Sequence, residues 1–186
     1  MQSLLSVVAA ASFAFVGTMF DNFFAFASQL VATPSERHAR VSWAHAISIT
    51  VLVVIAAGVG SVLTSVPIRL VSFLAIAPWA LAWHAFKHPV VRQQHRRGIV
   101  TTFVLTFSLG GDNIAVWVPL LRANGLNYGL LAVATFAAWE LIFVLFAQAL
   151  AGRERVVAWG ERFAPRVVPW LYIALGFVIL VECRAI

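Results

Sequence analysis

Between Leu4 and Ala32 the chain carries one charged residue, Asp21, and comparable apolar runs recur along the whole sequence. Trp43 to Pro67 has no charge, and Leu70 to Phe86 has only His84 as a titratable group. Ile99 to Leu121 carries Asp112 alone, Leu126 to Leu150 carries Glu140 alone, and Val167 to Val181 carries none. A helix rises about 1.5 Å per residue, so about 20 apolar residues cross a hydrocarbon core. The runs therefore predict six transmembrane helices. The segments between them read as loops: Thr33-Pro34-Ser35, Ser65-Val66-Pro67, Lys87-His88-Pro89, Asn124-Gly125-Leu126-Asn127 and Gly152.

Composition excludes the main alternatives. The chain is 62% hydrophobic and 11% charged, whereas soluble domains average about 45–50% and about 25%. Too little polar surface exists to coat a soluble globule of this size. The net charge of +6 does not point to nucleic acid, because the arginines cluster between apolar runs without interleaved aromatics. That pattern suits loops facing an anionic membrane surface. One cysteine, Cys183, rules out a disulfide framework and any CxxC motif. No nucleophile–base pair, phosphate loop or HExxH-type motif argues for an enzyme.

The small residues Ala9-Ala10-Ala11-Ser12 resemble a signal-peptidase site, but no positive residue precedes the apolar run, which continues well beyond it. The first run is expected to remain as a helix. Lys87, Arg37, Arg40, Arg92, Arg96, Arg97, Arg153, Arg155, Arg162 and Arg166 follow helices one, three and five; only Arg69, Arg122 and Arg184 fall on the other face. Ten basic residues against three place the first face in the cytoplasm and both termini outside. The segment from Arg153 to Arg166 mixes arginines with Val156, Val157, Trp159 and Phe163, which fits either a short interfacial amphipathic helix or an ordinary basic loop.

An internal repeat is legible. Asp21-Asn22 and Asp112-Asn113 are 91 residues apart, and so are Pro78-Trp79 and Pro169-Trp170. The expected organisation is a single transmembrane domain of two three-helix units, residues 1–90 and 91–186. An odd number of spans per unit makes the second enter from the opposite side. Inverted repeats of this kind carry transporter substrate sites near the midplane, between the units.

The intramembrane acids are the candidate chemistry. A charge at mid-bilayer costs about 2.5–3.5 kcal/mol on insertion scales, so it faces a polar interior and has a partner. One buried Asp is compatible with a protonated side chain that hydrogen-bonds a neighbouring helix. Two, each followed by Asn and related by the repeat, point to a divalent-cation site of Asp21, Asn22, Asp112 and Asn113. Successive helical residues diverge by about 100°, so Asp and Asn address one ion only at a broken turn or from both sides of it. Gly110 and Gly111 mark a weak point before Asp112, as Gly17 does before Asp21; either glycine also suits close helix packing. Pro78 and Pro169 each free a backbone carbonyl. Pro78 suits a kink, and Pro169 either a hinge or the first turn of helix six. Glu140, whose repeat counterpart is Ile49, suits proton coupling or a polar contact with Gln148. His45 and His84 read as interfacial, while His38, His88 and His95 read as solvated loop residues. Cys183 reads as a small apolar residue or a soft-metal ligand.

These motifs resemble a known family. Gly-Gly-Asp-Asn-Ile-Ala-Val-Trp-Val-Pro-Leu at 110–120 is similar to the fourth-helix motif of the cadmium resistance transporter family, within the lysine exporter superfamily. Asp21-Asn22-Phe23-Phe24 resembles its first-helix motif, and Val168 to Gly176, with Leu180-Val181-Glu182, its last helix. The resemblance implies a secondary transporter that exports cadmium, or a related ion such as zinc or manganese, across the cytoplasmic membrane. It implies no permanently bound cofactor: the metal is cargo, and the lipid bilayer is the surrounding partner. A homo-oligomer is compatible with this reading. The matched positions offer hard oxygen ligands, although cadmium is soft. Competing readings are an exporter of amino acids or other small solutes, and a non-transporting membrane scaffold.

Overall fold

The structure is a computed structural model and describes residues 3–87 and 99–183. His88, Pro89, Arg92, His95, Arg96, Arg97 and Arg184 lie outside the described residues. Among the described residues all regular structure is helical. In hydrocarbon only intrahelical bonds satisfy every backbone N–H and C=O without water.

Helix α1 (Leu4–Val31) starts at Ser3, whose hydroxyl accepts the Ser6 N–H while the Ser6 hydroxyl accepts the Ser3 N–H. This reciprocal cap satisfies two donors at a helix start. A 3-10 turn at Ser35–Arg37 leads into α2 (His38–Val62). The next passage combines α3 (Ile68–Val71), a 3-10 turn at Ser72–Ala75 and α4 (Ile76–Lys87). Then come α5 (Ile99–Leu109), α6 (Gly111–Leu150) and α7 (Glu154–Glu182). Five helical stretches are long and apolar enough to cross a membrane. One of them, the 40-residue α6, would span about 60 Å if straight, twice a hydrocarbon core.

Gly125 divides α6. Its φ of 64° and ψ of −169° are the non-helical values inside the element, in a region reached essentially by glycine alone. Contacts along α2 show what the break does. On the first limb, Thr106 of the preceding α5 meets His45, Gly110 meets Leu52, and Val118 and Arg122 meet Gly60. On the second limb, Glu140 lies against His45 and Gln148 against Ser42. The limbs therefore run beside α2 in opposite senses, as a helical hairpin. The four-residue loop expected at 124–127 shrinks to one glycine, because φ > 0 there reverses the chain without a longer connection. With α5 and the first limb forming one passage, the described residues make six.

Two further expectations change. The sixth helix begins at Glu154, not near Val167, so the basic segment at 153–166 is the first half of α7. Its inner face (Val157, Gly160, Ala164) is buried, and Gly160 approaches Phe24 so closely that a Cβ would lie 1.9 Å from the ring. Docking on α1 holds that half in the helix. Pro169 is accordingly a buried, interior helical residue, not an N-terminal one. Pro78 sits in the first turn of α4, directly after the 3-10 turn. It removes the N–H that an α-helical Leu74 carbonyl would need, consistent with tighter 3-10 geometry there.

The core is where α1 meets α6 and α7. Phe15 stacks on Trp117 at 5.7 Å and 6°, and both lie against Phe136. Lipid is as apolar as leucine, so such contacts stabilise by packing rather than by escape from water, about 0.5–1.5 kcal/mol per aromatic pair. A second core of Phe23, Phe26, Leu30, Leu150 and Val157 closes the other end of α1. Against α7, α4 makes reciprocal contacts: Trp79 meets Phe177 at 5.4 Å, and Trp170 meets Phe86 at 5.5 Å. Residues 79 and 170, and residues 86 and 177, are each 91 apart.

Candidate metal site between the Asp-Asn pairs

The two Asp-Asn pairs share one local geometry. Asp21 Oδ1 accepts the Asn22 N–H at 2.8 Å, and Asp112 Oδ1 accepts the Asn113 N–H at 2.9 Å. Both aspartates are partly buried, and Asn22 and Asn113 are buried. The two asparagines come together around one side chain. Asn113 Nδ2 donates to Met19 Sδ at 3.3 Å, and Asn22 Nδ2 reaches the same sulfur at 3.8 Å. Met19 is fully enclosed, with no exposed surface.

The two halves differ in backbone. The chain leaves α5 at Gly110 and re-enters helix at Gly111, so Asp112 lies in the first turn of α6. A carboxylate there is favoured by the free N–H groups and positive end of the helix. Gly110 serves both roles proposed for it: it breaks the helix, and a Cβ there would meet Leu52 Cδ1 at 2.1 Å. Gly111 has open space where a Cβ would lie. Around Asp21 α1 is continuous; Gly17 packs against Leu175, and the Thr18 hydroxyl donates to the Ala14 carbonyl at 2.9 Å. Asp112 gains a further partner from α7, because the Tyr172 hydroxyl donates to its Oδ2. The repeat equivalent of Tyr172 is Leu81, so this support exists in one half.

Asn113 Oδ1 is buried and makes no hydrogen bond to any described residue. An orphaned amide oxygen beside a carboxylate is an arrangement that a cation would satisfy. One helical turn away, Trp117 Nε1 is likewise buried without a partner. The Phe15–Trp117 stack seals the site on that side. Among the described residues no three His, Cys, Asp or Glu side chains cluster closely enough to hold a metal ion. A cation at the Asp-Asn pairs would need amide oxygens, backbone carbonyls or the thioether as well.

Glu140 has its own partner on α2. Its Oε1 is 3.5 Å from His45 Nε2, and His45 Nδ1 is 3.0 Å from Thr106 Oγ1. The Phe26 ring stacks on His45 at 4.1 Å. His45 is therefore a buried partner of Glu140. Gln148, the other partner considered for Glu140, donates instead to Ser42 Oγ at 2.9 Å. Glu140, Ser42, Thr50 and Gln148 line a mostly apolar groove of about 520 Å³ between α2 and the second limb of α6. Pro78 and Pro169 are buried residues of α4 and α7, two helices that pack on one another.

Sequence reading did not pair His45 with Glu140 or bring Tyr172 to Asp112. For His45–Glu140 a signal was present, since both are polar residues in apolar runs. Met19 is a soft group that no sequence motif positions, and Tyr172 stands in the closing-helix stretch without any mark of its contact. Cys183, at the end of α7, is buried; burial, then the neighbouring Glu182 carboxylate, push its thiol up to about 11 against a smaller pull from Arg122.

No curated protein and no solved structure matches the chain. A protein-family match covers residues 84–186, more than half of the sequence. It includes Asp112, Asn113, Glu140 and Pro169, while Asp21 and Asn22 precede it. By that match this multi-pass, all-helical chain belongs to the cadmium resistance transporter family.

Proposed function

We propose that the protein is a secondary exporter of a divalent cation, cadmium or a related ion such as zinc or manganese, in the cytoplasmic membrane. The observation that carries this reading is the convergence of Asn22 and Asn113, one from each Asp-Asn pair, on Met19, with Asn113 Oδ1 left unsatisfied. Two carboxylates balance a divalent charge, and amide oxygens replace part of its hydration shell. The chain works as two inverted three-helix repeats that rock about this centre to give alternating access. The reciprocal Trp79–Phe177 and Trp170–Phe86 contacts support that symmetry. The basic loops put the termini outside. Glu140, paired with His45, is the proton-coupling group.

An amino-acid exporter would need a positive helix end for the substrate carboxylate. The available end, at the start of α6, already holds Asp112. The metal reading is preferred for that reason.

The test is Asp21→Asn and Asp112→Asn in cells challenged with cadmium, zinc and manganese, with membrane insertion checked by fractionation. Each variant should insert normally and lose metal tolerance. Full tolerance in either variant sinks the reading.

A further inference from the structure

We propose that Met19 is the soft ligand that makes this site prefer cadmium to harder divalent cations. The proposal rests on the cation site argued above and names what selects its cargo. Three observations meet at this residue. Its sulfur is contacted by both Asn22 and Asn113, the equivalent residues of the two units, at 3.8 and 3.3 Å. It is fully buried at the centre of the α1–α6 contact. Its repeat equivalent is Gly110, so one thioether serves both halves.

The present contacts are weak ones. A thioether is a poor hydrogen-bond acceptor, so two amide N–H groups aimed at one sulfur are held loosely. The amide is close to symmetric in shape, and a rotation of about 180° exchanges its oxygen and nitrogen. After that rotation the Asn22 and Asn113 oxygens face the region that the sulfur already faces. For Asn113 the turn gives up only the Nδ2 contact to the sulfur, because Oδ1 has no hydrogen bond to lose, and a bound cation repays it. Asp112 adds negative charge at the next residue, held from behind by Tyr172. The resulting donor set is one soft sulfur among hard oxygens. A polarizable ion such as cadmium gains from the sulfur, whereas magnesium, calcium and manganese gain little. This resolves the mismatch between oxygen ligands and a soft metal.

Met19→Leu is the discriminating variant, since it keeps volume and apolarity while removing the sulfur. Purified protein in liposomes should show a fall of at least about tenfold in the cadmium-to-manganese transport ratio, the lower end of what losing a metal-site partner costs. An unchanged ratio overturns the proposal. Should the variant fail to insert, the wild-type protein decides. Met19 and Met1 are its two methionines, so selenomethionine labelling places one selenium at the site. X-ray absorption at the cadmium edge should then show a cadmium–selenium shell, and an oxygen-only shell refutes the assignment. Asp112→Asn separates the two claims: if it abolishes transport while Met19→Leu leaves the ratio unchanged, the cation site stands and only its soft ligand falls.

Discussion

Replacing Gly125 by alanine tests the hairpin that brings Glu140 to His45. The residue sits at φ 64°, ψ −169°, where a side chain costs about 1–3 kcal/mol. A Cβ there would meet nothing within 4 Å, so the penalty is backbone strain and no steric clash confuses it. Alanine also restricts the unfolded chain, which offsets about 0.4–1 kcal/mol. The net loss is about 1–2 kcal/mol, a five- to thirtyfold change in the folding equilibrium. Gly58→Ala is the control: it too has open space at its Cβ, but it lies inside α2. There alanine should stabilise by up to about 1 kcal/mol through helix propensity. Thermal melting of both variants in the same detergent should give shifts of opposite sign. If Gly125→Ala melts at or above the wild-type temperature, the single-residue turn is wrong.

Arg122 donates from Nε to the Leu63 carbonyl at 2.7 Å and from its terminal nitrogen to Thr64 and Val66 at 3.1 and 2.9 Å. It ties the carbonyls just beyond α2 to α6, so Arg122→Ala should lower stability by about 2 kcal/mol, read as an earlier melting transition with metal selectivity unchanged. Glu140→Gln removes the titratable group paired with His45 while keeping its shape. Metal should still bind, measured by isothermal titration, but the response of liposome efflux to a proton gradient should vanish. A gradient response equal to wild type would remove Glu140 from the coupling role.

The spans were legible because hydrocarbon tolerates so few charges that each survivor stands out. Asp21, Asp112 and Glu140 were visible for that reason, and the shared offset tied the first two together. Helix ends were less visible. Val157, Gly160 and Ala164 look like part of a basic loop until their packing on α1 is seen, and Asn124-Gly125 looks like an ordinary turn. Which face of each helix meets protein was hidden for a physical cause: lipid and protein core are both apolar, so no hydrophobic periodicity separates them.

By itself, then, the sequence determined the membrane-spanning class and marked the few acidic residues within the apolar runs and the 91-residue offset that two of them share. These follow from the cost of charge in hydrocarbon and from simple spacing. Tertiary structure alone decided that the helix breaks at Gly110 before Asp112 but runs unbroken past Asp21. It also decided that Met19 stands between the two Asn amides, 94 residues from Asn113, and that Glu140 faces His45. Contacts of that range depend on how the helices dock, which no local pattern of residues encodes.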